Sequence, residues 1–397
     1  MSERFTGNFT QQEPIPEEAI EAAVAVMRSG RLHRYNVAEG ELGEAALLEQ
    51  EFAAQMGAKY ALAVASGGYA LATALRAVGV KPGDKVLTNA FTLAPVPGAI
   101  ASIGAEPVYV EVNEALTIDL DDLEAKLAQA KVLMLSHMRG HLCDMDRLMC
   151  LCDAAGVVVI EDCAHTMGAR WNGVLSGRQG AIGCYSCQTY KHVNSGEGGL
   201  IVTDDEELAA RMVMLSGSYM LFERHLAAPS PEVFERVKYE TPNVSGRMDN
   251  LRAAVLRPQL RQLDQQVERW NARYRVIEEG LRDVPGLTVV ERPEAELYVG
   301  SSIQFLLLDW SEEAVQDVLS RCGARGVELK WFGVPEPTAF TSRYDSWRYA
   351  DVPSLPQSDR ILRGIIDMRV PLTFDLEDCA VIARILRAEV SAVYQTG

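Results

Sequence analysis

Between residues 85 and 203, short apolar runs rich in β-branched residues alternate with segments of helical periodicity, and this alternation restricts the fold more than any other feature. KVLTNA (85–90) reads as a strand and leads into a helical LAPVPGAIASIG; PVYVEV (107–112) is a second strand. DLDDLEAKLAQA (119–130) is an amphipathic helix with Asp119 placed to cap it. KVLMLSH (131–137) is a strand, and MDRLMCLCDAAG (145–156) is a helix closed by a glycine. VVVIED (157–162) is apolar enough to be buried on both faces, and AIGCYS (181–186) and GLIVT (199–203) are further strands. Strands separated by helices predict an α/β fold, a mainly parallel sheet flanked by helices.

After about residue 250 the pattern changes. NLRAAVLRPQLRQLDQQVERWNARYRVIEEGLRDV reads as one long helix with a kink expected at Pro258. LTVV, SSIQFLLL, EEAVQDVLSRC and VELKW then suggest a smaller α+β domain, closed by the striped helix EDCAVIARILRAEVSAVY. The predicted division is an N-terminal arm over 1–40, a large domain over 41–255 and a C-terminal small domain over 256–397.

The formal charge of -17 argues against nucleic acid or an anionic membrane as the main partner, since both reward cationic patches. A local anion site remains open, because backbone N–H groups alone can make one. The start, MSERFTGNFTQQEP, has no apolar h-region, and no run approaches a membrane span, so a cytoplasmic protein is expected. The eight cysteines are scattered, as suits reduced thiols. Cys150 and Cys152 are expected in the core. Cys184 and Cys187 form a C-x-x-C on a strand without a second pair to complete a metal set, so they are expected to be buried and inert, with no metal bound.

Three stretches carry chemistry. Asp162 ends a buried parallel strand, where open α/β sheets bind ligands. Lys191 follows in the polar, glycine-rich SCQTYKHVNSGEGG (186–199). A lysine amine and a carboxylate are what a pyridoxal 5'-phosphate (PLP) enzyme needs: one for a Schiff base, the other to pair with the protonated pyridine nitrogen. Taken singly, Asp162 reads as a turn cap and Lys191 as a solvated charge. In ASGGYALATALRAVGV (65–80), small residues lead straight into an amphipathic helix, leaving N–H groups free for a phosphate, with Ser186 a further donor.

Together these segments resemble the DegT/DnrJ/EryC1/StrS family, sugar aminotransferases of PLP fold type I (aspartate aminotransferase-like). The matching stretches run in order: LLEQEFAAQMGAKYALAVASGGYAL, GVKPGDKVL, IGAEPVYVEV, SHMRGHLCDMD, VIEDCAHTMGA, YSCQTYKHVNSGEGGLIVTDD and GRMDNLRAAVLRPQLRQLD. The resemblance covers residues 15–270 well and the last third loosely. It implies that Lys191 anchors the cofactor and shuttles the proton, and that Asp162 partners the pyridine nitrogen. It places His165 beside the cofactor's phenolic oxygen, where the alternative is a core histidine. Ser186 and the backbone of Gly67 and Gly68 would bind the phosphate, and Asn243 or Ser245 would reach the neighbouring subunit's phosphate. The implied reaction moves an amino group from glutamate or glutamine to a keto-sugar or keto-cyclitol, in a homodimer with small-molecule substrates.

Departures from the family pattern are concentrated around the cofactor. Gly68 stands where the family has Thr. The Thr-aromatic pair is Thr92-Leu93 here, with Phe91 pointing elsewhere by strand alternation. Ser245 replaces an Asn, and Pro95, Pro97 and Gly98 predict a helix that starts late or is kinked. Trp331, Phe332 and Arg369 lie where the family's C-terminal domain borders the substrate; they read equally as core aromatics and a surface cation. A sugar lyase or dehydratase, and a non-catalytic regulatory protein of the same fold, are the alternatives. The retention of Lys191, with His192 beside it, and of Asp162 weighs against both.

Overall fold

Each predicted strand of the alternating region closes into one sheet in a computed structural model that describes residues 3–395. The strands are β1 (Tyr60–Val64), β2 (Lys85–Asn89), β3 (Glu106–Val110), β4 (Val132–Ser136) and β5 (Val158–Asp162), then β8 (Ile182–Ser186) and β9 (Gly199–Thr203). Between β5 and β8 lies a short hairpin, β6 (Arg170–Trp171) and β7 (Val174–Leu175). The sheet order is β1-β9-β8-β5-β4-β2-β3. β2, β3, β4, β5 and β8 pair in parallel, while β9 runs antiparallel to both of its neighbours. The architecture is therefore α/β with a mostly parallel sheet between helices.

The connecting helices begin where their caps dictate. Asp119 accepts hydrogen bonds from the N–H groups of Asp121 and Asp122 at the head of helix Leu120–Lys126, and Asp144 from Arg147 N–H at the head of Met145–Ala155. Each such cap is worth about 1 kcal/mol. Gly156 ends the second of these helices with a left-handed φ of 65°. Within it Cys152 is buried but Cys150 is exposed, which corrects the expectation of two core thiols: residues two apart sit on opposite sides of a helix. Helix Pro95–Ser102 starts late with a proline in its first turn, as the Pro-rich stretch predicts.

The expected single long helix is two, Asn250–Arg261 and Leu263–Leu281. Pro258 stays inside the first, and the break falls one turn later, where Gln262 N–H bonds to the carbonyl of Gln259 in a tighter i−3 step. Leu260 and Leu263 are buried on either side of the break.

Beyond it, β10 (Thr288–Val289), β12 (Ser302–Leu306), β13 (Lys330–Trp331) and β14 (Ile365–Arg369) form an antiparallel sheet in the order β10-β12-β14-β13. β11 (Glu296–Leu297) joins the β6–β7 hairpin instead. The second sheet packs through Phe305, Ile366 and Met368 against Tyr274, Ile277, Ile385 and Leu386. The N-terminal segment is fastened at both ends of the molecule. Phe5 and Phe9 each lie 4.9 Å from the ring of Phe374. Arg34 forms a buried two-pronged pair with Glu49, which also meets His225 Nδ1 at 3.0 Å. Burial alone would raise the Glu49 carboxyl, but the Arg34 charge and the contact with His225 hold it down at about 2. Among the described residues, no helix is long and apolar enough to cross a membrane.

Candidate active site

The last residues of three neighbouring strands face one another. Asn89 ends β2, Ser136 ends β4 and Asp162 ends β5. Ser136 N–H donates to Asn89 Oδ1 at 2.9 Å, and its hydroxyl donates to Asp162 Oδ2 at 3.3 Å while accepting from Thr92 Oγ1 at 2.8 Å. Asp162 Oδ1 also accepts from Ala164 N–H at 3.2 Å. The neighbouring carboxylate, Glu161, lies on the other side of the pleat. It takes N–H groups of Gly177, Gln179 and Gly180 at 2.7–2.9 Å, and His137 Nε2 at 2.9 Å. Two adjacent acids thus have separate tasks: Glu161 fastens a loop and Asp162 faces a cavity.

That cavity has a volume of about 470 Å³ and is lined by Gly67, Gly68, Asp162, His165, Ser186 and Lys191, among others. Lys191 sits on a turn tied by its own N–H to the Gln188 carbonyl. Burial, with the nearby Arg139 charge, brings its amine down to about 7, while Asp162 pulls the other way. Burial pushes the Asp162 carboxyl up against the pull of Ala164 N–H and Lys191. His165 is driven to the neutral form by burial and by Lys191. Its Nδ1 accepts from Arg139 N–H at 3.1 Å, so Nε2 carries the proton.

Helix Gly67–Ala77 points its N-terminus into the same cavity. Ser66 caps it by accepting from Tyr69 N–H, and among the described residues no partner uses the N–H groups of Gly67 or Gly68. Gly67 is required by packing: a Cβ there would lie 2.8 Å from Ser186 Cβ. A Cβ on Gly199 would likewise lie 2.3 Å from the Ser66 carbonyl oxygen. Gly68 is different, since its Cβ would meet only Pro95, at 3.9 Å. The helix N-terminus is therefore clamped against the ends of β8 and β9, with free donors turned to an open space. A phosphate, an amine-reactive carbonyl and a protonatable ring nitrogen have matching groups here, so these residues fit PLP.

Two predicted residues lie elsewhere. Asn243 and Ser245 are exposed and do not line this cavity; Asn243 Oδ1 accepts from Tyr219 N–H, and Ser245 Oγ meets Tyr219 Oη at 3.2 Å. Phe91 is fully buried against Phe332, as alternation predicts, and Leu93 lines the cavity. Trp331 is a core residue whose indole N–H donates to the Arg363 carbonyl. Arg369 does reach the cavity, stacked 3.5 Å over Tyr190. Cys184 and Cys187 are buried free thiols with pKa values raised by that burial. The sequence reading missed Arg139, Ser136, Tyr190, Phe340 and Trp347, all of which line the cavity. Only Arg139 left a signal, a cation just past a buried strand and before Gly140.

Comparison with known proteins agrees with this geometry. Residues 14–387 match the family model described as the DegT/DnrJ/EryC1/StrS aminotransferase family. A "Pleiotropic regulatory protein" of Geobacillus stearothermophilus is 32% identical over 69% of this chain and 70% of its own length. The dTDP-3-amino-3,4,6-trideoxy-alpha-D-glucose transaminase of Streptomyces venezuelae is 30% identical over 88% of this chain and 86% of its own. The crystal structure of 3-amino-5-hydroxybenzoic acid synthase superposes with a TM-score of 0.83 at 25% identity, covering 99% of this chain and all of that one. The chain belongs to the DegT/DnrJ/EryC1/StrS aminotransferase family.

Proposed function

We propose that this chain is a PLP-dependent aminotransferase that takes an amino group from glutamate or glutamine and gives it to a keto-sugar or keto-cyclitol. The reading rests on one observation above the rest: Lys191 and Asp162 line the cavity into which the helix at Gly67 opens. When bound, PLP supplies the electron sink that lets an amino acid lose its α-proton.

The chain's own groups do the rest. Lys191 Nζ, brought down to about 7 by burial, is poised near neutrality both to anchor the cofactor and to carry the proton from the amino acid's α-carbon. Asp162 would hold the ring nitrogen in its protonated form. His165, neutral with its proton on Nε2, offers a donor to the phenolic oxygen. The N–H groups of Gly67 and Gly68, with Ser186 Oγ, would hold the phosphate. Asn243 and Ser245 are proposed to complete a neighbour's phosphate site in a homodimer, supported by exposed apolar side chains around them: Tyr219, Met220, Tyr239 and Val244. The net charge of -17 supports small-molecule substrates over nucleic acid or membrane, in a cytoplasmic enzyme.

The test is covalent. Purified protein should be yellow, lose that colour with borohydride, and carry the reduced cofactor on the peptide containing Lys191. Lys191→Ala should carry none, and its turnover should fall by several orders of magnitude, because one side chain serves as anchor and acid/base. Wild-type colour and activity in that variant would end the reading. A regulatory role, suggested by the name of the Geobacillus relative, predicts a cofactor-bound protein with no amino transfer to any keto compound.

A further inference from the structure

Lys191 lines two cavities. Besides the large one, it borders a small chamber of about 70 Å³. The two meet at Gln12, Lys191, His192 and Trp270, which line both. The chamber's other walls are firmly held. Segment 12–16 is stiffened by Pro14 and Pro16, whose rings fix φ. It is fastened by Glu13, whose carboxylate accepts from both Nη groups of Arg269, at 2.8 and 2.5 Å. The loop that carries Lys191 is tied down by a reciprocal pair: Gln259 Oε1 accepts from Asn194 N–H at 3.0 Å, and Gln259 Nε2 donates to the Asn194 carbonyl at 2.8 Å. Gln262, at the break between the two long helices, completes the wall.

Three amides are left over in this wall. The side chains of Gln12, Asn194 and Gln262 make no hydrogen bond among the described residues, and their polar atoms remain accessible. Water suits such a place: each molecule needs on the order of 10–15 Å³ and a few polar partners, so the chamber has room for several. A sugar-sized molecule does not fit, since cavities for ligands of that size run to about 300 Å³ or more. A substrate that fills the large cavity displaces the water there, whereas the chamber keeps its own.

We propose that this chamber is the water reservoir of the reaction, in which Gln12, Asn194 and Gln262 hold, beside Lys191, the water that each half-reaction consumes or gives up. The proposal rests on the aminotransferase reading. Freeing the keto product adds one water across the carbon–nitrogen double bond that joins substrate to cofactor. The oxygen bonds to the carbon, the carbon–nitrogen bond breaks, and both hydrogens finish on the nitrogen, which stays behind as an amine. Loading the keto acceptor runs the same exchange backwards and returns one water. Lys191 Nζ, bordering both cavities, moves the proton between water and nitrogen. Asn194 and Gln262 line the chamber and not the large cavity, so they are positioning residues that act through the water they hold.

A high-resolution crystal structure of the cofactor-loaded protein should show ordered waters bonded to these amides. They should remain when the large cavity holds the α-methyl analogue of the amino donor, which has no α-proton to lose. Asn194→Leu and Gln262→Leu replace an amide by an alkyl group of similar size. Single-turnover mixing with L-glutamate or L-glutamine separates two steps: loss of the visible absorption band, which follows removal of the α-proton, and release of the keto acid, read by quenched flow. In both leucine variants the first step should keep its wild-type rate, and the second should slow about 3- to 10-fold, the range for a lost hydrogen bond. Gln262→Glu, which still binds water, should release the keto acid near the wild-type rate. A chamber without ordered water, or one filled by the analogue's side chain, would overturn the reservoir. So would wild-type release in both leucine variants, or equal slowing of the two steps. The crystallographic result needs no turnover: ordered waters in a protein that transfers no amino group to any keto compound would refute the enzyme reading and leave the chamber a water site.

Discussion

Burial moves the two titrating side chains of the proposed chemistry in opposite directions. The Lys191 amine is lowered to about 7 by burial, Arg139 adding to the effect. Its neutral, nucleophilic form therefore predominates above neutrality rather than only near the ordinary lysine value. Cofactor capture by the apoprotein, followed by stopped-flow absorbance, should speed up about tenfold per pH unit below ~7 and level off above it. A rate still climbing at pH ~9 would show an ordinary lysine. Asp162 is raised by burial in the protein alone, and a protonated ring nitrogen would draw it back to the carboxylate. Asp162→Asn should fold, hold PLP and transaminate at least ~100-fold more slowly, as loss of a tuned ionic partner does; steady-state kinetics at saturating PLP decide it. Asp162 and Lys191 were readable only in combination, and His165 only through the family resemblance, since each taken singly has an ordinary structural reading; with Ser186 and Gly67 they line one cavity. Gln12, Asn194 and Gln262 were not readable as a group, because only packing between segments far apart in the chain brings them to one chamber.

At the level of elements, the helix Gly67–Ala77 depends on how closely its first turn approaches β8. Gly67 and Gly68 look alike in sequence but differ in space. Gly67→Ala would force a Cβ to 2.8 Å from Ser186 Cβ, and should cost about 1–3 kcal/mol of stability together with PLP affinity. Gly68→Ser has room, with Pro95 at 3.9 Å as the nearest contact, and adds a hydroxyl beside the free N–H groups. It should tighten PLP several-fold in an equilibrium titration; weaker binding would place the phosphate elsewhere. The periodic helices were legible from their caps and stripes. The break at Gln262 was displaced from the residue that sequence rules select, because the proline is accommodated within the first helix and the tighter turn follows it. The two-residue strands β6, β7 and β11 carry too few positions to show any period, and their pairing joins Arg170 to Leu297 far along the chain.

For the molecule as a whole, a mostly parallel sheet followed from the order of strands and helices, since parallel neighbours require long crossovers. The reversed direction of β9 did not, because nothing within GLIVT records which way it will run. Assembly gives the prediction at this scale. If Asn243 or Ser245 completes a neighbour's phosphate site, PLP and dimer formation must strengthen each other. Analytical ultracentrifugation should find a tighter dimer with PLP than without, and dilution to monomer should release PLP. A monomer that keeps full PLP occupancy would refute the shared site while leaving the assignment of Lys191 intact.

Glu161 and Asp162 differ by one methylene and one position, yet the pleat of β5 sends them to different compartments. Their roles are thus assigned by counting residues, not by chemical kind. Deleting a single residue upstream, at Val159 for example, would shift the strand by one and exchange which acid faces the cavity and which faces the loop. Such a chain would keep nearly the same composition and the same pair of acids. Drift in this family should therefore accept many substitutions along β5 but scarcely any change in its length.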